Sequence, residues 1–146
     1  MAKLNLADAE TIANAALAEA RELRLAPLAV AVLDAGGHVI VFKREDGAGI
    51  VRFEIAYGKA WGSLGMGFGT REIAARAEMA PAFITALYAI SQGRAVPSPG
   101  GVLVLDADGD IIGAVGISGD TGDNDEKCAL VGIAAAGFRA APGKIE

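Results

Sequence analysis

Apolar residues along this chain change their period several times, and each change marks an element. Between Leu6 and about Leu25, the residues Ile12, Ala16, Leu17, Ala20 and Leu23 recur at three- and four-residue steps, which predicts an amphipathic helix. Asn5 is placed to cap it, Asp8 sits at the positive end of its dipole, and Pro27 stops it. Continuous apolar runs then predict strands at about 28–34 and 38–44. Helical patterns follow near 51–66, from Thr70 as N-cap to Met79, and from Pro81 to about Gln92, with Gly93 just past the end. Strands return at about 102–106 and 110–117, and an Ala- and Gly-rich helix runs from roughly Asp125 to Phe138. Hairpins rather than βαβ units predict an antiparallel sheet covered by helices, an α+β fold.

Within this pattern the chain writes one phrase twice. Residues 32–40 read VLDAGGHVI and residues 104–112 read VLDADGDII. Asp, Gly and a polar residue between β-branched runs signal a tight hairpin, because Gly supplies the positive φ such turns require. Each hairpin leads into a Gly-rich, charged loop, EDGAG (45–49) and GDTGDNDE (119–126), so one rim of the sheet is expected to hold something small.

Composition narrows the function classes. The 146 residues are most simply one domain, residues 1–146, long enough for a real core. The chain is 53% hydrophobic, but its longest uncharged segments are too short, or too broken by Gly and Pro, to read as a membrane span. The opening MAKLNLADAE lacks a secretory signal, and the single Cys128 excludes an internal disulfide, so a cytoplasmic location is expected. A net charge of −5 argues against nucleic acid as the partner, since phosphate neutralisation needs a basic surface.

Several motifs carry candidate chemistry. GSLGMGFGT (62–70) imitates a dinucleotide loop but follows a helical segment instead of a strand. Gly58, Gly62, Gly65 and Gly69 instead fall on one helix face, expected to pack closely against the sheet or another subunit. Asp106, Asp108 and Asp110 alternate like calcium ligands but lack the EF-hand Gly and Glu spacing, so a hairpin turn explains them. In DTGDNDE, Asp123 or Asp125 is expected to cap the last helix, while Asp123, Asp125 and Glu126 are also open to a role as hard oxygen ligands or a general base. His38, the only histidine, excludes a multi-histidine metal site and is the natural single ligand for a haem iron. Met66, Met79, Tyr57 and Cys128 are the competing donors. Lys59 interrupts an apolar helix near Arg44, Asp46 and Arg52; it either snorkels to water or holds an anion. Pro99-Gly100-Gly101 offers either a turn or free amides for an oxyanion.

Taken together, VAVLDAGGHVIVFKREDGA, FEIAYGKAW, PGGVLVLDADGDIIGAVGISG and DNDEKCALVGIAAAG resemble the haem-degrading-domain family of GlcG/HbpS type. That family also supplies the C-terminal domain of some corrinoid adenosyltransferases. The resemblance implies a profilin-like sheet of about five strands and a homo-oligomer. It also implies a small-ligand pocket lined by Arg44, Asp46, Lys59, Gly100, Gly101, Ser118 and Asp125, and haem as the one cofactor.

Three functions follow as expectations. The first is a binding protein for haem or another small, anionic ligand, serving as carrier, sensor or scavenger. The second is a cofactor-independent enzyme for a small oxo- or hydroxy-acid. There Lys59 and Arg44 would hold the carboxylate, the Gly100 and Gly101 amides the oxyanion, and Asp46 or Asp125 would move the proton. The third is an accessory structural subunit. In the anion-pocket reading, Lys59→Met is expected to cost little stability.

Overall fold

The elements follow the apolar pattern with shifted ends. In the computed structural model, which describes residues 3–145, they are α1 (Leu6–Glu22), β1 (Ala29–Asp34), β2 (Val39–Arg44), α2 (Arg52–Met66), α3 (Thr70–Met79), α4 (Pro81–Ile90), β3 (Gly101–Leu105), β4 (Ile111–Ser118), α5 (Gly122–Ala135) and β5 (Arg139–Ala141). One antiparallel sheet carries the strands in the order β2-β1-β4-β3-β5. This is the α+β fold the pattern predicts.

β1, β3 and β4 read as continuous apolar runs because helices cover both of their faces. On one face α1 and α5 pack over Val30, Val32, Val102, Val104, Val115 and Ile117. On the other, α2 lies over Ala29, Ala31, Leu33, Leu103, Leu105 and Ala114. Each buried Val, Leu or Ile contributes about 1.5–3 kcal/mol. That exceeds the roughly 1 kcal/mol each helical glycine costs, so α2 is held by what it buries and not by propensity.

Small residues set how closely the layers meet. A side chain at Gly116 of β4 would overlap the Ala56 carbonyl of α2, and one at Gly132 of α5 would overlap the Ile12 carbonyl of α1. On α2, Gly58 and Gly62 face the backbone of residues 93–95 of the same chain. The predicted glycine stripe is therefore shorter than its spacing suggests. α2 ends at Gly67 in the left-handed region (φ 79°), and Gly69 caps α3 against the Pro142 carbonyl.

Three local expectations change. Thr121, not Asp123 or Asp125, caps α5, its hydroxyl accepting from the Asn124 amide at 3.2 Å. α5 therefore starts three residues earlier than predicted and stops at Ala135, releasing Arg139–Ala141 to pair with β3 as β5. Gly69 rather than Thr70 is the N-cap of α3, because the Thr70 hydroxyl is turned inward to accept from the Gly101 amide at 2.8 Å. Asn5 does cap α1, accepting from the Asp8 amide at 2.8 Å.

Candidate functional site

Strand register separates the predicted site residues into two groups. β1 pairs with β2 and β4 so that Ala29 lies opposite both Arg44 and Ser118, while Asp34, at the far end of β1, lies opposite Gly113. Arg44, Ser118, Gly100 and Gly101 thus share one end of the sheet. His38 and the Asp106–Asp110 turn occupy the other.

The repeated phrase folds twice into the same turn. In the first copy the Asp34 carboxylate accepts from the Gly36 and His38 amides at 2.9 and 3.0 Å, and Gly37 sits at φ 83°. In the second, Asp106 accepts from the Asp108 and Asp110 amides at 3.0 and 2.9 Å, and Gly109 sits at φ 85°. Oxygens of Asp106, Asp108 and Asp110 lie within 4.8 Å of one another, and Asp106 Oδ1 closes the turn that the hairpin reading predicts.

His38 takes the place in the first turn that Asp110 takes in the second. Its side chain is 82% exposed, and Nδ1 lies 3.2 Å from Asp34 Oδ1. Burial acts to raise the Asp34 pKa, but the two backbone N–H bonds and His38 outweigh it and hold the carboxyl below the ordinary range. An ionised Asp34 has no proton to give, so Nδ1 must carry the hydrogen and donate it. The lone pair of a neutral ring is then on Nε2. Beside the ring is a cleft of about 380 Å³ lined by Lys3, Leu4, Asp34, Ala35, Gly36 and Ile112.

At the other end Lys59 and Asp125 form a closed polar core. Lys59 is 3% exposed and Asp125 1%. Lys59 Nζ donates to the Ile117 carbonyl at 2.8 Å and to Asp125 Oδ2 at 3.2 Å. Asp125 Oδ1 accepts from the Asp120 amide at 3.0 Å. Burial pulls the Lys59 pKa down and pushes that of Asp125 up, each opposed by attraction to the other. Gly100, at φ 122°, lies against Nζ so closely that a side chain there would meet it.

This arrangement uses up groups that the anion-pocket reading needs free. The Gly101 amide donates to Thr70, and buried Ser118 accepts from Arg52 at 3.0 Å. Lys59 neither snorkels to water nor faces an open pocket. Arg44 and Asp46 lie outside this core, lining an open cleft with Arg21, Pro27 and Glu45; the Arg44 guanidinium donates to the Ala48 carbonyl. The sequence reading missed Thr70 and Asp120, since a hydroxyl at a helix start and an acid in a polar run carry no distinguishing pattern. Among the other haem-donor candidates, Cys128 is buried, with its thiol pushed up to about 11 by burial, and Tyr57 is half-buried on α2.

A five-stranded open sheet covered by helices, with an exposed imidazole held by an aspartate at a hairpin tip, defines an α+β protein. The chain belongs to the HbpS-like family, described as haem degrading protein HbpS-like, which it matches over residues 4–134. A 15.0 kDa protein from the dhaT-dhaS intergenic region of Citrobacter freundii is 34% identical over 125 residues, 86% of each chain. The corrinoid adenosyltransferase PduO of Salmonella typhimurium is 33% identical over 135 residues, which cover 90% of this chain but only 38% of that enzyme. Among solved structures, a PduOC–haem complex is similar at TM-score 0.85 and 31% identity, covering 94% of this chain and 98% of that one. HbpS is similar at TM-score 0.77 and 30% identity, covering 92% and 90%. Haem or small-ligand binding is thereby supported for the family. Among the described residues, no helix is long and apolar enough to cross a membrane.

Proposed function

We propose that this chain is a haem-binding member of its family, acting as a carrier, sensor or scavenger, with His38 as the iron ligand and a homo-oligomer as the working form. One observation supports the ligand assignment: the Asp34 carboxylate lies 3.2 Å from Nδ1 of a largely exposed ring beside an apolar cleft, an arrangement that favours the Nδ1–H tautomer and leaves Nε2 without an intramolecular partner among the described residues. A ligating histidine held by a carboxylate through its other nitrogen is the usual arrangement at metal centres, where it orients the ring and raises its basicity.

The residues present fit the group. Leu4 and Ile112 supply an apolar wall for the porphyrin edge, and the Lys3 ammonium at the rim suits a propionate. When bound, haem would supply a redox-active iron. Asp34 holds the proton on Nδ1, and His38 supplies the donor pair.

A haemin titration followed at the Soret band tests the assignment. Wild-type protein is expected to give a saturable, shifted Soret band. His38→Ala is expected to weaken binding by at least tenfold and change the band position, whereas Asp34→Asn is expected to weaken it by 10–100-fold, the usual range for a supporting partner of a metal ligand. An unchanged band and affinity in His38→Ala would remove His38 from the site.

A further inference from the structure

α4 is a helix without a polar face. Its sequence, PAFITALYAI, holds no charged residue, and none occurs between Glu78 and Arg94. Of its ten residues only Ile84 is buried, and it packs mainly on α3. Phe83 is 52% exposed, Tyr88 55%, Ile90 78% and Met79, just before the helix, 76%. A helix that is apolar all round is stable only when other chain covers it.

Area and charge decide what covers it. Helical spacing sets Met79, Phe83 and Ile90 on one side and Tyr88 on the opposite one, so the three that share a face leave on the order of 350 Å² of apolar surface, with large side chains at roughly 150–200 Å² each. A standard interface takes about 800 Å² from each partner. Exposed Ala86 lies beside them, and next to the helix runs a groove of about 170 Å³ lined by Trp61, Met66, Leu87, Ile90 and Arg94, whose guanidinium stacks on the Trp61 ring at 4.1 Å. Together they extend the face toward that size. Permanent interfaces between copies are the apolar ones, whereas transient partners meet a more polar surface. A two-fold axis makes the same patch meet itself, and an uncharged helix brings no like charges together there.

We infer that α4 and the groove beside it form the face on which a second copy of this chain packs, with Phe83 and Ile90 as its anchors. The inference rests on the homo-oligomer reading above and names the surface for it.

Light scattering coupled to gel filtration, at about 10 µM, tests it. Wild-type protein is expected at a multiple of the 14.7 kDa subunit mass. Phe83→Glu and Ile90→Glu are each expected to lower that mass at least twofold, with an unchanged far-UV spectrum showing that the subunit still folds. Val51→Glu, an exposed apolar residue just before α2, is expected to leave the mass unchanged. If both α4 variants keep the wild-type mass, the copies meet elsewhere and this inference fails while the homo-oligomer stands. A monomeric wild type overturns both, and would leave α4 to a different protein.

Discussion

At the scale of single residues, the buried Lys59–Asp125 pair has the clearest energetic consequence. Removing one member of a buried ion pair strands the other charge and costs about 3–5 kcal/mol, whereas replacing both with apolar groups is often neutral. Lys59→Met is therefore expected to lower the stability measured by urea unfolding by about that amount, and Lys59→Met with Asp125→Leu to recover most of it. This reverses the low cost expected when the lysine is read as an anion binder, and a single-variant loss below about 0.5 kcal/mol would restore that reading. Asp120 supplies a pH dependence. Its carboxylate accepts from the Asn124 side chain at 2.7 Å and from the Ala26 and Thr121 amides at 2.9 Å, in that order of effect, which holds its pKa below the ordinary carboxylate range. A folded-state pKa below the unfolded one gives stability that is complete above the unfolded pKa. That stability is lost as the pH falls through the folded pKa. The melting temperature should thus fall on acidification below about pH 4, and less steeply in Asp120→Asn.

At the scale of elements, the docking of α2 on β4 depends on an absent side chain. Because a methyl group at Gly116 would overlap the Ala56 carbonyl, Gly116→Ala must lift α2 from the sheet. It is expected to cost at least the 1–3 kcal/mol typical of overpacking, roughly, while Gly49→Ala, which meets nothing within 4 Å, should stay within about 0.5 kcal/mol. A Gly116→Ala protein as stable as the wild type in urea would contradict the close approach. Element type was legible for every element but β5, since the periods of α1 and the doubled Asp-Gly phrase depend only on local chemistry. The ends of α5 were less so. Thr121, Asp123 and Asp125 are all good caps, and only the burial of Asp125 against Lys59 takes it out of that competition. β5 stayed hidden because three residues with an exposed arginine carry no strand pattern until β3 is there to pair with them.

At the scale of the whole molecule, the sheet's register decides which candidate residues can act together. From sequence alone, the pocket of Lys59, Arg44 and Asp125 and the separate candidate His38 could not be placed relative to each other, because linear spacing cannot show that the hairpin tips lie at the opposite end from β4's exit. Nor can it show that Lys59 and the Gly101 amide find partners within the chain. What remains open to a ligand at the tip is one imidazole, and its uniqueness gives the account its sharpest test. Protein labelled with ¹⁵N-histidine carries a single imidazole, so its nitrogen NMR signals are assigned without ambiguity to His38. On addition of haemin at a concentration that saturates the Soret change, direct ligation of the ferric iron is expected to shift and broaden those signals far outside the diamagnetic range. The Nδ1–H nitrogen held by Asp34 should keep its proton. Sharp, unshifted imidazole signals in protein whose Soret band shows bound haem would contradict ligation by His38.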